Sequence, residues 1–263
     1  MKKRAGLLLM LTVMSVFLAG CGDFREPISA SSEGFWSKYI VWPLVSLIET
    51  FKDLLGTYGL GIIAVTLIIR LILLPLTLKQ TQSSKQMQEI QPKLNALKEK
   101  YKSKDAVTQQ KYREEMQAVM SENKVNPVAG CLPVIVQMPI LIGFYHAISR
   151  MNATPEIPLG KFLVFDLAAP SITLAIFAGI MQFVVLRTGP AMDNPQMKIM
   201  MYIMPFFIMI FGSFLPAALA LYWVVGNTFS IVQNFFIYKP FKKKEVVIEQ
   251  PKGKSNKGGT KRK

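Results

Sequence analysis

Arg70 is the residue in this sequence with the most chemistry to explain. It stands near the middle of residues 58–78, YGLGIIAVTLIIRLILLPLTL, about 21 residues, the length at which one apolar helix crosses a bilayer. Arginine keeps its proton in proteins, and a guanidinium at the centre of such a helix costs roughly 2.5–3.5 kcal/mol on insertion scales. Lys79 follows nine residues later, about 13 Å along a helix axis, so Arg70 lies too deep to reach the surface easily. The other long apolar runs contain neither Asp nor Glu, so no neighbouring span offers a counter-charge. Either water reaches Arg70 inside the membrane, or its anionic partner belongs to another molecule. The bland alternative is a structural tie to backbone carbonyls.

Other polar side chains lie at similar depth. Thr66 precedes Arg70 by four residues and shares its helix face. Pro75 cannot donate to the carbonyl of Leu71, which leaves an acceptor free near Arg70. Gln137 stands between Pro133 and Pro139, and Gln182 lies in a later apolar run. Asn227, Ser230 and Asn234 recur at helical spacing, with Trp223 one turn before Asn227. Converging faces of this kind would line a polar cavity in the cytosolic half of the bilayer. Taken singly, Gln137, Gln182 and Asn227 are equally readable as hydrogen-bonding glue between helices, and Trp223 as packing. His146 reads as an interface residue near the outer end of its run.

The elements that must position these groups are apolar helices. Five spans are expected, at residues 58–78, 128–149, 167–186, 199–215 and 216–238. The last two are separated by Gly212-Ser213-Phe214-Leu215-Pro216; about 40 residues would be twice what a bilayer needs, so a tight turn is expected there. Residues 34–57 form an amphipathic helix on the outer surface, with the stripe Ile40, Leu44, Leu47, Ile48, Phe51, Leu54 and Leu55, and with Trp36 and Trp42 at headgroup level. Residues 79–127 read as a cytosolic helical hairpin. Its first arm carries Met87, Ile90, Leu94, Leu97 and Tyr101, its second a looser stripe of Val107, Met116, Val119 and Met120, and Asp105 caps the second arm. Pro92 should bend the first arm.

The chain of 263 residues is 51% hydrophobic with a formal charge of +15, a balance that suits a membrane protein with basic ends. Residues 239–263 hold nine Lys and one Arg against Glu245 and Glu249, and form a basic tail expected to be disordered. Residues 1–20 read as a signal peptide: Lys2, Lys3 and Arg4, an apolar stretch, then Leu18-Ala19-Gly20. Cys21 directly after them resembles a bacterial lipobox cysteine, acylated and made the mature N-terminus. Residues 21–33 are then an outer linker, 150–166 an outer loop and 187–198 a cytosolic loop. Counting spans from an exported N-terminus puts the basic segments inside, in agreement with the positive-inside rule. Cys131 reads as a small buried apolar residue.

Four segments together resemble the YidC family of membrane protein insertases, in its short lipoprotein form from Gram-positive bacteria. They are the Arg-bearing run followed by LPLTLKQTQSSKQMQ, the helical hairpin, Asn126-Pro127 through GCLPVIVQMPILIGFY, and LALYWVVGNTFSIVQNF. The likeness covers residues 34–240. The resemblance implies an all-α membrane protein of the bacterial plasma membrane, with five transmembrane helices around a hydrophilic groove open to the cytosol. It places the groove arginine at Arg70 and groove positions at Gln182 and Trp223. It implies no covalent chemistry and no cofactor beyond the lipid on Cys21. Implied partners are nascent membrane proteins, ribosomes through the basic tail, the general secretion translocon and anionic lipids, and no DNA. Three other classes compete. A transporter would call for repeats or several buried ionisable groups. A protease would call for HExxH, GxSxG or paired aspartates, which the spans lack. A passive assembly scaffold would make Arg70 dispensable.

Overall fold

The structure is a computed structural model and describes residues 26–123, 125, 132–189 and 195–238. The signal peptide, Cys21, Cys131 and the basic tail at 239–263 lie outside the described residues.

A π-helical turn, Ser37–Val41, leads into α1, Trp42–Leu55. Pro43 supplies a helix start, and Gly56 ends α1 in the left-handed conformation at φ 91°. Thr57 then caps α2, Tyr58–Lys100, by accepting from the Leu60 amide at 3.3 Å. Gly61 lets α2 lie close against α1, since a Cβ there would stand 2.5 Å from the Ile48 carbonyl oxygen. Val41, at the end of the π-helical turn, and Val45 and Ile48 of α1 pack inward. Of the expected stripe, Ile48 is buried, Leu44 and Phe51 are half-buried against the core, and Leu47, Leu54 and Leu55 are exposed. Trp36 and Trp42 are half-buried against the core.

The helix α2 is 43 residues long, about 65 Å, so the apolar run and the first arm of the hairpin are a single helix. Pro75 and Pro92 lie inside it. Asp105 caps α3, Ala106–Glu122, and accepts from the Thr108 amide at 2.8 Å, as its sequence position suggests. The two arms pair antiparallel: Lys100 and Tyr101 both donate to Glu115, at 2.9 and 2.6 Å, and Lys93 reaches Asn123 at 3.3 Å. Ile90 is buried and Met87, Leu94, Leu97 and Tyr101 half-buried, whereas Val107, expected in the opposing stripe, points to solvent in the first turn of α3.

Next come α4, Leu132–Ala153, a short hairpin of β1, Lys161–Phe162, and β2, Phe165–Asp166, and then α5, Ile172–Thr188. The helix α5 begins five residues later than the apolar run. Residues 167–170 are held instead by α7, Ala217–Tyr238: the amides of Ala217 and Ala218 donate to Ala169 and Leu167, at 2.9 and 3.2 Å. Those bonds satisfy two of the amides that a helix start leaves open. Ser171 caps α5. The break at 213–216 divides α6, Pro195–Gly212, from α7 as expected, but α6 packs chiefly on α5 rather than on α7. Gly179 permits this, because a Cβ there would meet Met209 and the Pro205 carbonyl.

Contacts set the helix directions. Asn227 donates to Ala178 O at 3.2 Å and Asn234 to Val185 O at 3.1 Å, seven residues apart on both helices, so α7 and α5 run parallel in a heptad-like register. Thr77 and Gln233 meet at 3.3 Å and Lys85 donates to Ile237 O at 2.7 Å, so α2 also runs parallel to α7. The helix α6 opposes α5, since Gly212 faces Ala175 while Pro205 faces Gly179. The helix α4 opposes α7, and so α2: Asn152 at its end reaches Ala168 O at 3.2 Å, beside the Ala169 carbonyl that takes the first amide of α7, while Gln137 nearer its start reaches Tyr222 further along α7.

Candidate functional site

Arg70 occupies mid-helix in the apolar half of α2 and faces α7. It is half-buried, and among the described residues it makes no hydrogen bond or ion pair. Its guanidinium rests against the backbone of Gly226, where a Cβ would stand 2.6 Å from Nη2. A glycine inside a helix ordinarily costs about 0.5–1 kcal/mol relative to alanine. Here it lets a cation lie flush on a neighbouring helix. Gly226 escaped the sequence reading, although a glycine in the middle of an apolar helix was the signal available.

One turn earlier on α7, Tyr222 lies within electrostatic reach of Arg70 and accepts from Gln137 Nε2 at 2.6 Å. Its ring stacks on Phe144 with centroids 4.4 Å apart. Gln137 is thus joined to the Arg70 neighbourhood through Tyr222. The other expected site residues are placed differently. Thr66 is buried in the core and donates to the Ile62 carbonyl of its own helix at 2.6 Å. Asn227 is buried and ties α7 to α5, the glue role. Trp223 is half-buried and lies beside Gly212 at the end of α6. Gln182 is half-buried on α5 with no hydrogen bond among the described residues; α2 and α5 both pack on α7. Ser230 donates to Gly226 O at 2.9 Å, directly beside the Arg70 contact.

A second arginine went unread in the sequence. Arg150, near the end of α4, is buried. Its Nε donates to Glu26 O at 3.0 Å, one Nη to Ser37 Oγ at 2.7 Å and the other to Pro27 O at 3.1 Å and Ser32 Oγ at 3.4 Å. Thr154 continues the clasp: its hydroxyl donates to Arg150 O at 2.7 Å and accepts from the Ile28 amide at 2.9 Å. His146, expected at an interface, is instead buried one turn before Arg150, edge-on to Trp36 and Tyr145. The segment docked by Arg150 supplies that enclosure. No group of three or more His, Cys, Asp or Glu among the described residues could hold a metal ion.

Among the described residues, α2 is long and apolar enough to cross a membrane, and α5 and residues 202–212 are shorter apolar helices. Apolar helices around one mid-helix cation define the class, a helical membrane protein with a charged interior position. Comparisons with known proteins make this specific. The family described as 60Kd inner membrane protein matches residues 50–245. Membrane protein insertase MisCA of Bacillus subtilis is 50% identical over 97% of this chain and 98% of its own. Membrane protein insertase YidC 2 of Bacillus anthracis is 50% identical over 91% of this chain and 95% of its own. A crystal structure of an active YidC insertase superposes with a TM-score of 0.62 at 28% identity, covering 77% of this chain and 47% of the solved one. The chain belongs to the 60Kd inner membrane protein family and is a membrane protein.

Proposed function

We infer that the chain is a membrane protein insertase, not an enzyme, and that Arg70 is its working charge. Relatives that bear that name, and that match across nearly their whole length, support insertion as the activity. The mechanism draws on a single observation: a permanent cation held in mid-helix against Gly226, with no hydrogen-bond partner among the described residues.

A client segment enters lipid only if its short polar flank crosses the hydrocarbon. A wet cavity open on the cytosolic side shortens the dry distance, and a fixed positive charge attracts an acidic flank into it. Hydrophobic transfer then drives the apolar segment sideways into lipid, and the flank leaves Arg70 on the far side. In this reading the apolar half of α2, with α4, α5, α6 and α7, makes five spans around the groove. The helix directions fit this, since α2, α5 and α7 run one way and α4 and α6 the other. Glu26 and α1 then lie outside, Cys21 is acylated there, and the hairpin and basic tail are cytosolic. The tail, with its many lysines, suits salt-sensitive contact with ribosomal RNA or anionic lipid, and the translocon is a further candidate partner.

Integration of a single-span client with an acidic flank into proteoliposomes tests the mechanism. Arg70→Ala should lower integration about tenfold or more, and neutralising the flank should make integration less dependent on Arg70. Equal integration of acidic clients by both proteins, at matched amounts, overturns it. A tail cut after Lys244 should lower ribosome co-sedimentation at low salt; unchanged binding removes the tail from ribosome docking.

A further inference from the structure

The β1–β2 hairpin does nothing in the mechanism above, yet its composition is unusual for a polar loop. Its tip is Leu163-Val164, and these two residues are 79% and 84% exposed. Leu163 sits at φ 56°, in the left-handed region that glycine or asparagine normally fills. The charged pair Lys161 and Asp166 stands at the base of the hairpin, opposite each other in register. An apolar tip above a charged base is the amphipathic order of a segment that sits at a membrane surface.

The hairpin is held firmly. Phe162 packs so close to Gly59 that a Cβ there would come within 2.2 Å of the ring. Leu167 donates to Gly160 O at 2.9 Å, closing the loop, and Asn152 donates to Ala168 O at 3.2 Å. Together with the bonds to the start of α7, these contacts fix the base of the hairpin on the bundle and leave its tip exposed.

Beneath the tip lies a cavity of about 390 Å³ with apolar walls. Phe162, Leu163 and Phe165 of the hairpin line it with Phe177 of α5 and with Leu221 and Val224 of α7. Phe177 belongs to the exposed apolar surface of α5, where Ile172, Ile176, Ile180 and Phe183 follow one another at helical spacing. The tip and cavity are therefore continuous with a surface that, in a membrane protein, faces lipid. We propose that the β1–β2 hairpin dips into the outer leaflet and that the tip and cavity take the acyl chains of membrane phospholipid. Lys161 and Asp166 then lie at headgroup level. The proposal rests on the membrane placement of α5.

An environment-sensitive fluorophore on Leu163→Cys, Val164→Cys or Ile180→Cys, in a Cys131→Ala chain reconstituted into liposomes, tests it. The parent without an introduced cysteine reports any label at Cys21. The labels at positions 163 and 164 should emit to the blue, resist aqueous iodide, and lose intensity most with phospholipid brominated high on the acyl chain. The label at Ile180, about 12 Å further along its helix from Ile172, should lose most with bromine near the chain end. If position 180 is quenched and positions 163 and 164 instead respond to iodide, the hairpin proposal fails and the membrane placement of α5 stands. If position 180 escapes bromine as well, both fail. Positions 163 and 164 shielded from iodide yet blind to bromine would mean that a second protein surface covers the tip, which also overturns the proposal.

Discussion

Arg70 and Arg150 both stand in apolar helices, and the fold treats them in opposite ways. Arg150 is buried more deeply, and its guanidinium reaches two backbone carbonyls and two serine hydroxyls. Arg70 is half-buried and has no hydrogen-bond partner among the described residues, only a bare stretch of α7 to lie on. A buried cation whose donors are satisfied is a structural tie, while one left unsatisfied has its binding capacity in reserve. The structural role weighed for Arg70 from sequence is thus the one that Arg150 fills.

The comparison breaks most visibly through Arg150. Arg150→Ala removes the charged hydrogen bonds to the Glu26 and Pro27 carbonyls and to Ser32 and Ser37, which dock segment 26–37 on α4, and should destabilise the protein by about 3 kcal/mol or more. The check is the fraction that stays monodisperse in detergent during heating. Arg150→Lys should recover only part of the loss, since a point charge cannot span the same four acceptors. A protein that melts normally but inserts poorly would reverse the assignment of roles.

Arg70→Ala should do the opposite. Melting should stay close to wild type, and integration of acidic clients should fall about tenfold or more, the scale of one charged contact of about 1.5–3 kcal/mol. Arg70→Lys separates simple attraction, which it keeps, from bidentate pairing, which it loses.

Gly226→Ala sharpens the contrast within one site. The new methyl group displaces the flexible end of Arg70, so integration should fall, though less than in Arg70→Ala. Helix propensity should at the same time raise stability by up to about 1 kcal/mol. Activity and melting temperature moving in the same direction would argue against the guanidinium lying on α7.

Asn227→Ala and Asn234→Ala should each cost about 0.6 kcal/mol, since both are interhelical glue, and the double variant should cost about the sum. The smallest effect expected is in the α2–α3 hairpin. Hydrogen bonds from Ser103 and Thr108 hold the Asp105 carboxyl below its ordinary 3.8, and those from Tyr101 and Lys100 hold Glu115 below its ordinary 4.5. A lowered folded-state pKa contributes stability that is complete above the unfolded value and is lost as pH falls through the folded one. A spin label at the exposed Gln117 should therefore be least mobile above pH 4.5 and gain motion in more acidic solution, and Glu115→Gln should flatten that profile.

Much of this was legible in the chain. Arg70 announced itself because a charge inside a long, largely apolar run needs an explanation wherever the helix goes. Asp105 was readable as a cap because capping is local, and the break at 213–216 because Gly and Pro act on their own backbone. The inward face of α1 was readable only in part. Ile48 of the stripe Ile40, Leu44, Leu47, Ile48, Phe51, Leu54 and Leu55 is buried, but so is Val45 outside it, while Leu47, Leu54 and Leu55 stay exposed, and composition does not say which apolar residues the core takes. His146 and Arg150 were missed for a related reason. Both lie near the end of an apolar run, where a polar residue normally meets water; here the segment 26–37, over a hundred residues away in sequence, covers them.

Sequence alone determined where the chain is apolar, where its charges fall and which cation stands in the middle of an apolar helix. These follow from residue type and spacing along one helix. Tertiary structure decided which arginine is satisfied. That depends on what crosses its helix at its own height: at Arg150 a returning segment with free carbonyls, and at Arg70 a glycine on α7 that offers room but no acceptor.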